Sequence, residues 1–373
     1  MDKQANFNTV IFFRICLQGL MIVLLFSISV FNTVHAQGAP SSDSDSEASS
    51  DSSFKFLPIP YINYDRSIGF SIGAIPMAMY KLNKKDTISP SSLSGLVGMY
   101  STNKTWFTMA FSKFYMAEDT WRIVIAGGLG NINYQFFAPE PIGRYISYAT
   151  EAKFVYLKAQ RKILPKFYGG LSFMYADYET EFADAEDLTT FNILRSVGAV
   201  FSYDNRSNVY YPRKGFEANI TFQSYPEFMG NDFISNNIEV YYNHFYPSRG
   251  NKDVVATRVF AGFGMGDISF NQQMVVGQTD IRGYSEGKYR GDQLIAIQAE
   301  YRWNPYDRIG FVGFAGVASV FNAIDESHDG LLLPGIGAGF RYTAFVENKM
   351  NIGIDLAVGK GDWGFYFKIG EAF

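Results

Sequence analysis

From residue 54 onward the chain alternates apolar and polar positions over runs of about ten residues, and turn residues interrupt each run. In "QLIAIQAEYRW", at 293–303, one face carries Ile295, Ile297, Ala299, Tyr301 and Trp303, and the other carries Gln298, Glu300 and Arg302. A period of two is that of a β-strand, and an apolar face backed by a polar one is the pattern of a strand between lipid and a wet lumen. "NIGIDLAVG" repeats it, with Ile352, Ile354, Leu356 and Val358 opposite Asn351, Gly353, Asp355 and Ala357, and the last run places Trp363, Phe365, Phe367 and Ile369 on one face. Such segments fall near 57–64, 68–80, 91–102, 104–116, 120–134, 146–160, 166–178, 190–204, 214–225, 233–247, 253–266, 292–303, 308–320, 333–344, 349–359 and 362–371. The expected fold is therefore all-β: a transmembrane antiparallel β-barrel of about 16 strands, with about 14 as the smaller count the pattern accommodates. An even count lets both ends of the chain face the periplasm.

The soluble alternative, a secreted sandwich or propeller, alternates too. It would have to turn a surface rich in aromatics toward water, in a chain that is 17% aromatic. The first residues narrow the setting further. Lys3 and Arg14 precede the apolar run "LMIVLLFSISVF", and "VHA" ends at Ala36, so residues 1–36 read as a secretory signal peptide rather than an anchor helix. Residues 37–53 form an acidic, Ser-rich tract that cannot bury apolar area and is expected to be disordered. The barrel then occupies 54–373.

The net charge of −4 is accounted for largely by Asp43, Asp45, Glu47 and Asp51 in that tract, so the barrel carries no basic field for nucleic acid. Cys16, the single cysteine, lies in the signal segment, and only His244 and His328 remain beyond it. No His/Cys metal site, cofactor site or catalytic residue is expected, and the chain reads as a non-enzyme. "HFYPS" around His244 sits at a turn and makes a poor hydrolase site, while "GFGMG" and "GIGAG" open no helix and so are not phosphate loops.

One connection stands out. "GQTDIRGYSEGKYRGDQ", at 277–293, is long, polar and glycine-punctuated, and it lies between the eleventh and twelfth strands. A barrel of this size has a lumen too wide for its own side chains to fill, and a long loop folded inward can plug it. Gly283 and Gly287 permit positive φ, and Arg282 can form a two-pronged bond to a carboxylate on the wall. The simpler alternative pairs Arg282 with Asp280 or Glu286 inside the loop.

The stretch "TDIRGYSEGKYRGDQLIAIQAEYRW" resembles the sixth external loop and following strand of the BamA/TamA superfamily, surface-antigen barrels that insert or translocate outer-membrane proteins. Ile281, Arg282, Gly283 and Tyr284 match its Val/Ile-Arg-Gly-Phe/Tyr motif in order, following Asp280. "YDNRSNVYYPRKGF" is similar to the family's Asp-x-Arg … Pro-x-x-Gly turn, through Asp204, Arg206, Pro212 and Gly215, and Phe373 resembles the terminal phenylalanine by which such barrels are recognised. The resemblance implies that Arg282 docks on acidic groups of the two strands after the loop. Glu300 matches the first. The second strand reads "FAGVASVF", with no Asp-x-Gly, which leaves Asp355 as a substitute.

The family normally carries periplasmic POTRA domains, for which residues 37–53 leave no room. The expected function is assembly, insertion or translocation of proteins at the outer membrane, with outer-membrane lipid and client or receiver proteins as partners. A passive solute channel and a structural, partner-anchoring barrel are the alternatives. A weak seam is expected where "LPIPYINY", which carries Pro58 and Pro60, meets the terminal strand containing Trp363, Phe365 and Phe367, because a proline lacks the amide that a ladder requires.

Overall fold

The computed structural model describes residues 54–373 apart from 66–67, 139–143, 183–189, 269–271, 278–279, 285–288, 324–325 and 346–349 in the connections. The expected signal peptide and acidic tract lie outside the described residues. Seventeen strands follow in order: β1 (Phe54–Asp65), β2 (Gly69–Tyr80), β3 (Ser92–Ser101), β4 (Trp106–Met116), β5 (Trp121–Ala138), β6 (Arg144–Leu164), β7 (Phe167–Phe182), β8 (Thr190–Asp204), β9 (Gly215–Tyr225), β10 (Ser235–Ser248), β11 (Asp253–Gly266), β12 (Met274–Val275), β13 (Arg290–Trp303), β14 (Ile309–Ala323), β15 (Leu333–Phe345), β16 (Met350–Gly359) and β17 (Asp362–Ile369). All but the two-residue β12 build the wall, so the barrel has sixteen strands, as the alternation predicts.

Each wall strand pairs antiparallel with the next, from β1–β2 through β10–β11, then β11–β13 and on to β16–β17. β12 pairs with the start of β13 (Met274↔Gly291, Val275↔Arg290), which lays Met274 and Val275 of the long connection against the wall. Phe54 and Phe373 lie at one end of the barrel, called the near end below, and the long connection leaves from the far end.

Burial follows the period of two. On β13, Leu294, Ala296, Gln298, Glu300 and Arg302 are buried, while Ile295, Ile297, Tyr301 and Trp303 are exposed on the outer face. The lumen is not uniformly wet, however. In the half built by β1–β7 many inward residues are apolar and pack together: Ile59, Met77, Val97, Met109, Phe111, Phe154 and Met174 belong to one buried cluster, beside buried polar side chains such as Lys113, Thr150 and Gln160. On β4 the outward positions Thr108, Ala110 and Ser112 are more polar than the inward Phe107, Met109 and Phe111.

An apolar lumen is stable only when water is kept from it. Connections from both ends do this. At the near end, residues 205–214 insert Val209 and Tyr210 into the apolar cluster, and Tyr210 donates from Oη to the Ser91 carbonyl at 2.8 Å. From the far end, Ile281, Tyr284 and Tyr289 pack against Leu294, Val320 and Leu333.

The near-end connection that receives Tyr210 is itself held by Asp86. Its carboxylate accepts hydrogen bonds from Ser89 Oγ (2.6 Å) and from the amides of Ser89 (2.8 Å), Ile88 (3.0 Å) and Glu118 (3.0 Å). Burial pushes this carboxyl up, but the bonds from Ser89, Glu118 and Ile88 outweigh it and hold the pKa down at about 2. A depressed carboxylate stabilises the fold above its ordinary pKa, and that contribution disappears as pH falls through about 2. Hydrogen-exchange protection of the Ile88, Ser89 and Glu118 amides should therefore fall between about pH 4 and pH 2. In Asp86→Asn the protection should be low at all pH values and should lose this acid step.

Candidate functional site

The long connection turns inward because two of its glycines take conformations closed to other residues. Gly277 has φ 107° and its amide donates to Asp280 Oδ1 at 3.2 Å. Gly283 has φ 114°, and a Cβ there would lie 2.8 Å from the Val358 carbonyl. This close approach sets Arg282 deep in the lumen, where it is 1% exposed.

Its guanidinium spans two strands of the wall. Nη2 reaches Glu300 Oε2 at 2.6 Å on β13, Nη1 reaches Asp355 Oδ2 at 2.5 Å on β16, and both Nε and Nη2 donate to Gln298 Oε1 at 3.0 Å. Phe314 of β14 lies flat beneath, with its ring centre 3.4 Å from the guanidinium carbon. The strand that lacks the family's second acid thus offers an aromatic face, and Asp355 supplies the second carboxylate. Asp280 is buried beside Gly277 and accepts from its amide, while Glu286 and Gly287 lie outside the described residues.

The contacts extend into a closed ring of alternating charge. Glu300 also binds Arg302 Nε at 2.7 Å, Asp355 also binds Arg341 Nη1 at 2.5 Å, and Glu371 joins Arg341 (3.1 Å) to Arg302 (3.6 Å). All six groups are buried. Tyr284 and Tyr366 fasten the same loop to the closing strands. Tyr284 Oη donates to the Pro334 carbonyl at 2.6 Å and accepts from the Lys360 amide at 3.0 Å, and Tyr366 Oη of β17 accepts from the Gly283 amide at 2.8 Å.

Asp204 and Arg206 organise a second buried network, at the near end. Asp204 accepts from Arg206 Nε (2.9 Å) and Arg122 Nη1 (3.0 Å), Arg206 Nη1 pairs with Glu217 (2.9 Å), and Arg122 stacks on Tyr168 with 3.7 Å to the ring centre. Gly215, at φ 94°, passes so close to Asn205 that a Cβ would lie about 2.4 Å from its carbonyl oxygen. With buried Pro212, these residues shape the connection that inserts Tyr210 and Tyr211.

The first and last strands meet differently from every other pair. Among the described residues β1 and β17 share no hydrogen-bonded register. Rings bridge them instead: Tyr61 is edge-on to Phe367 at 5.7 Å, and Tyr64 stacks on Trp363 at 5.8 Å. Pro58 and Pro60 lie inside the β1–β2 pairing, and Pro58 stands opposite Pro76. The β2–β3 ladder breaks at Ile75 and Pro76, so the missing amide of Pro76 is on the β3 side. Directly opposed residues of an antiparallel pair point the same way, toward or away from each other. Pro58 therefore points its own missing amide away from β2, toward β17, and Pro60, two residues on, does the same. Phe365 lies between Trp363 and Phe367 on the same outward parity.

Phe373 does not extend the outward row of β17. The chain turns at Gly370 (φ 83°), and Phe373 is buried against Tyr211, Phe245, Val254 and Ala256, with its carbonyl accepting from Arg302 Nη2 at 2.6 Å. The residues that pattern reading missed are Arg341, Glu371, Phe314 and Tyr366. Arg341 could have been found by parity, as the one charge on the inward face of "GIGAGFRYTAF".

Because Arg282 links two wall carboxylates, Arg282→Ala should destabilise the barrel by about 3 kcal/mol and expose residues 277–291 to protease. Glu300→Gln should cost less, and the double variant should cost less than the sum, as read from heat-resistant migration on gels. Additive losses would show that the pair is not coupled. Arg282→Lys should restore little, since an ammonium cannot bridge Glu300, Asp355 and Gln298 together.

Comparison with known proteins places the barrel. Residues 98–373 match the Omp85 superfamily domain. No curated protein sequence matches the chain. Among solved structures, BamA from Haemophilus ducreyi lacking POTRA domains 1-3 is 13% identical with a TM-score of 0.56, over 84% of this chain and 69% of that one. CdiB from Acinetobacter baumannii is 13% identical with a TM-score of 0.59 (85% and 59%), and CdiB from Escherichia coli is 9% identical with a TM-score of 0.60 (86% and 63%). At these identities the likeness is one of fold, and the chain spans less than two thirds of either CdiB. With the domain match running from β3 to the final residue of a sixteen-stranded barrel, the chain belongs to the Omp85 superfamily and is a bacterial outer-membrane protein.

Proposed function

We propose that this barrel assembles, inserts or translocates other proteins at the outer membrane, without covalent chemistry, and that its near end faces the periplasm. The observation that carries this reading is the seam. In lipid each unpaired backbone amide or carbonyl costs several kcal/mol, so a wall normally closes completely. Two strands held by aromatic rings rather than by a ladder leave edges that an incoming strand can satisfy by pairing with them. The seam opens where β1 lacks two amides, and a client strand presented there gains hydrogen bonds from the unpaired edge of β17 that β1 does not supply.

The docked loop complements this arrangement. Arg282, Gly283 and Tyr284 hold β13, β16 and β17 together from inside, so that the seam can part without collapse of the rest of the wall. The partners are outer-membrane lipid at the seam, client chains, and a periplasmic protein that delivers them. The rival reading, a passive channel, is opposed by a lumen filled from both ends. A purely structural, partner-anchoring barrel would have no use for an unladdered seam.

Two measurements separate these readings. In planar bilayers the wild-type barrel should give small, erratic conductance that rises several-fold when residues 277–291 are deleted, whereas steady solute-selective currents in the wild type would favour the channel. Disulfides formed in Tyr64→Cys/Trp363→Cys or Tyr61→Cys/Phe367→Cys should abolish client insertion, and reduction should restore it. A fully crosslinked seam with undiminished activity would overturn lateral opening.

A further inference from the structure

The β9–β10 connection, residues 226–234, carries Phe228, at 85% exposure the most exposed large apolar side chain among the described residues, together with exposed Phe233 and Ile234. The loop is firmly held. Buried Asn231 accepts from the Arg195 amide at 2.8 Å and donates to the carbonyls of Arg195 and Pro226, each at 2.8 Å. Its side chain thereby continues the edge pairing of β8 beyond the last β8–β9 ladder position, Val197↔Ser224. The Arg195 guanidinium grips the carbonyls of Met229 (2.7 Å) and Gly230 (3.1 Å), and Ile234 accepts from the Asp267 amide at 3.0 Å.

Parity fixes which side of the wall this is. Ser196, Gly198 and Val200 are buried toward the lumen, and Val197 and Phe201 are exposed on the outer face. Arg195 shares the parity of Val197, so the carbonyls it grips lie on the outer, lipid-facing side. It stands opposite Tyr175, and two residues further up the same face of β7 comes Asp177, then Glu179. Just below it the outward residues are Val197, Phe222 and Ile220. The loop therefore sits at the upper edge of the apolar band, about 7 Å above its last ladder pair.

We propose that this loop is a lipid anchor, with Phe228, Phe233 and Ile234 seated in the interfacial layer of the far-end leaflet, the outer leaflet in the orientation given above. The occupant is lipid because the loop backbone held by Arg195 lies on the lipid-facing side at the top of the apolar band, and the three apolar side chains are exposed there. Exposed Glu227 and Asp232 keep the insertion shallow, since a carboxylate does not enter hydrocarbon. A preformed, rigid loop inserts without the ordering cost that a loose one would bear.

The test uses an environment-sensitive fluorophore on Phe228→Cys in a Cys16→Ser background, reconstituted in bilayers, with Asp307→Cys in an exposed near-end turn as the water reference. Since Phe228 is almost fully exposed, its replacement should leave folding intact. The label at 228 should be blue-shifted and several-fold brighter than at 307, quenched by lipids with a shallow spin label, and shielded from aqueous iodide. Adding Asn231→Ala, which frees the loop, should weaken the lipid quenching. Iodide quenching equal to that at 307 would overturn the proposal. So would shielding that appears only at high protein density, which would mark the patch as a contact with protein.

Discussion

The buried ring of three arginines and three carboxylates is the constraint on which the rest of this barrel depends. Arg302, Glu300, Arg282, Asp355, Arg341 and Glu371 alternate in sign around a closed circuit, and they come from β13, the inward loop, β16, β15 and the residues after β17. Each charge has lost its water, so none can be removed without stranding its neighbours. The loop can leave the lumen only by breaking Arg282 from both carboxylates at once. The ring therefore fixes the spacing of the last wall strands from within, where their backbone ladders act only between nearest neighbours.

This internal bracing matters because the outer closure is weak. β1 and β17 meet through Tyr61, Phe367, Tyr64 and Trp363 with no ladder among the described residues. The prolines at 58 and 60 contribute to that deficit, since their missing amides face the gap. Tyr366 links the two features, reaching from β17 to the amide of Gly283 and so attaching the free edge to the docked loop. An edge tethered from inside and unpaired outside is a wall that can yield at one place and hold elsewhere.

The two halves of the lumen solve the same filling problem differently. The β13–β17 half uses charge satisfied by charge, which admits polar residues on the inward face. The β1–β7 half uses methionine and aromatic side chains closed off by Tyr210 from the near end. The flexible thioethers of Met77, Met79, Met109 and Met174 suit an irregular space between curved walls. The second network, through Asp204, Arg206, Arg122 and Glu217, holds the connection that supplies Tyr210.

The sequence by itself determined the wall. Period-two runs and the residues between them are local properties, so sixteen strands could be located, and Glu300 and Asp355 assigned to the same inward surface as the loop arginine. Alternation distinguishes two faces without saying which is inside, and the middle of β4 shows the consequence: its outward Thr108, Ala110 and Ser112 are more polar than the inward Phe107, Met109 and Phe111, which join the apolar cluster. Only tertiary structure decided that, through connections entering from elsewhere in the chain. It also decided the ring's membership, since Arg282 and Asp355 are 73 residues apart and meet only once the loop has folded inward and the β13–β14, β14–β15 and β15–β16 registers are set. Phe314 beneath Arg282, Glu371 between two arginines and Phe373 turned into the lumen depend on the same closure. No local pattern encodes a partner that curvature of the whole wall brings into reach.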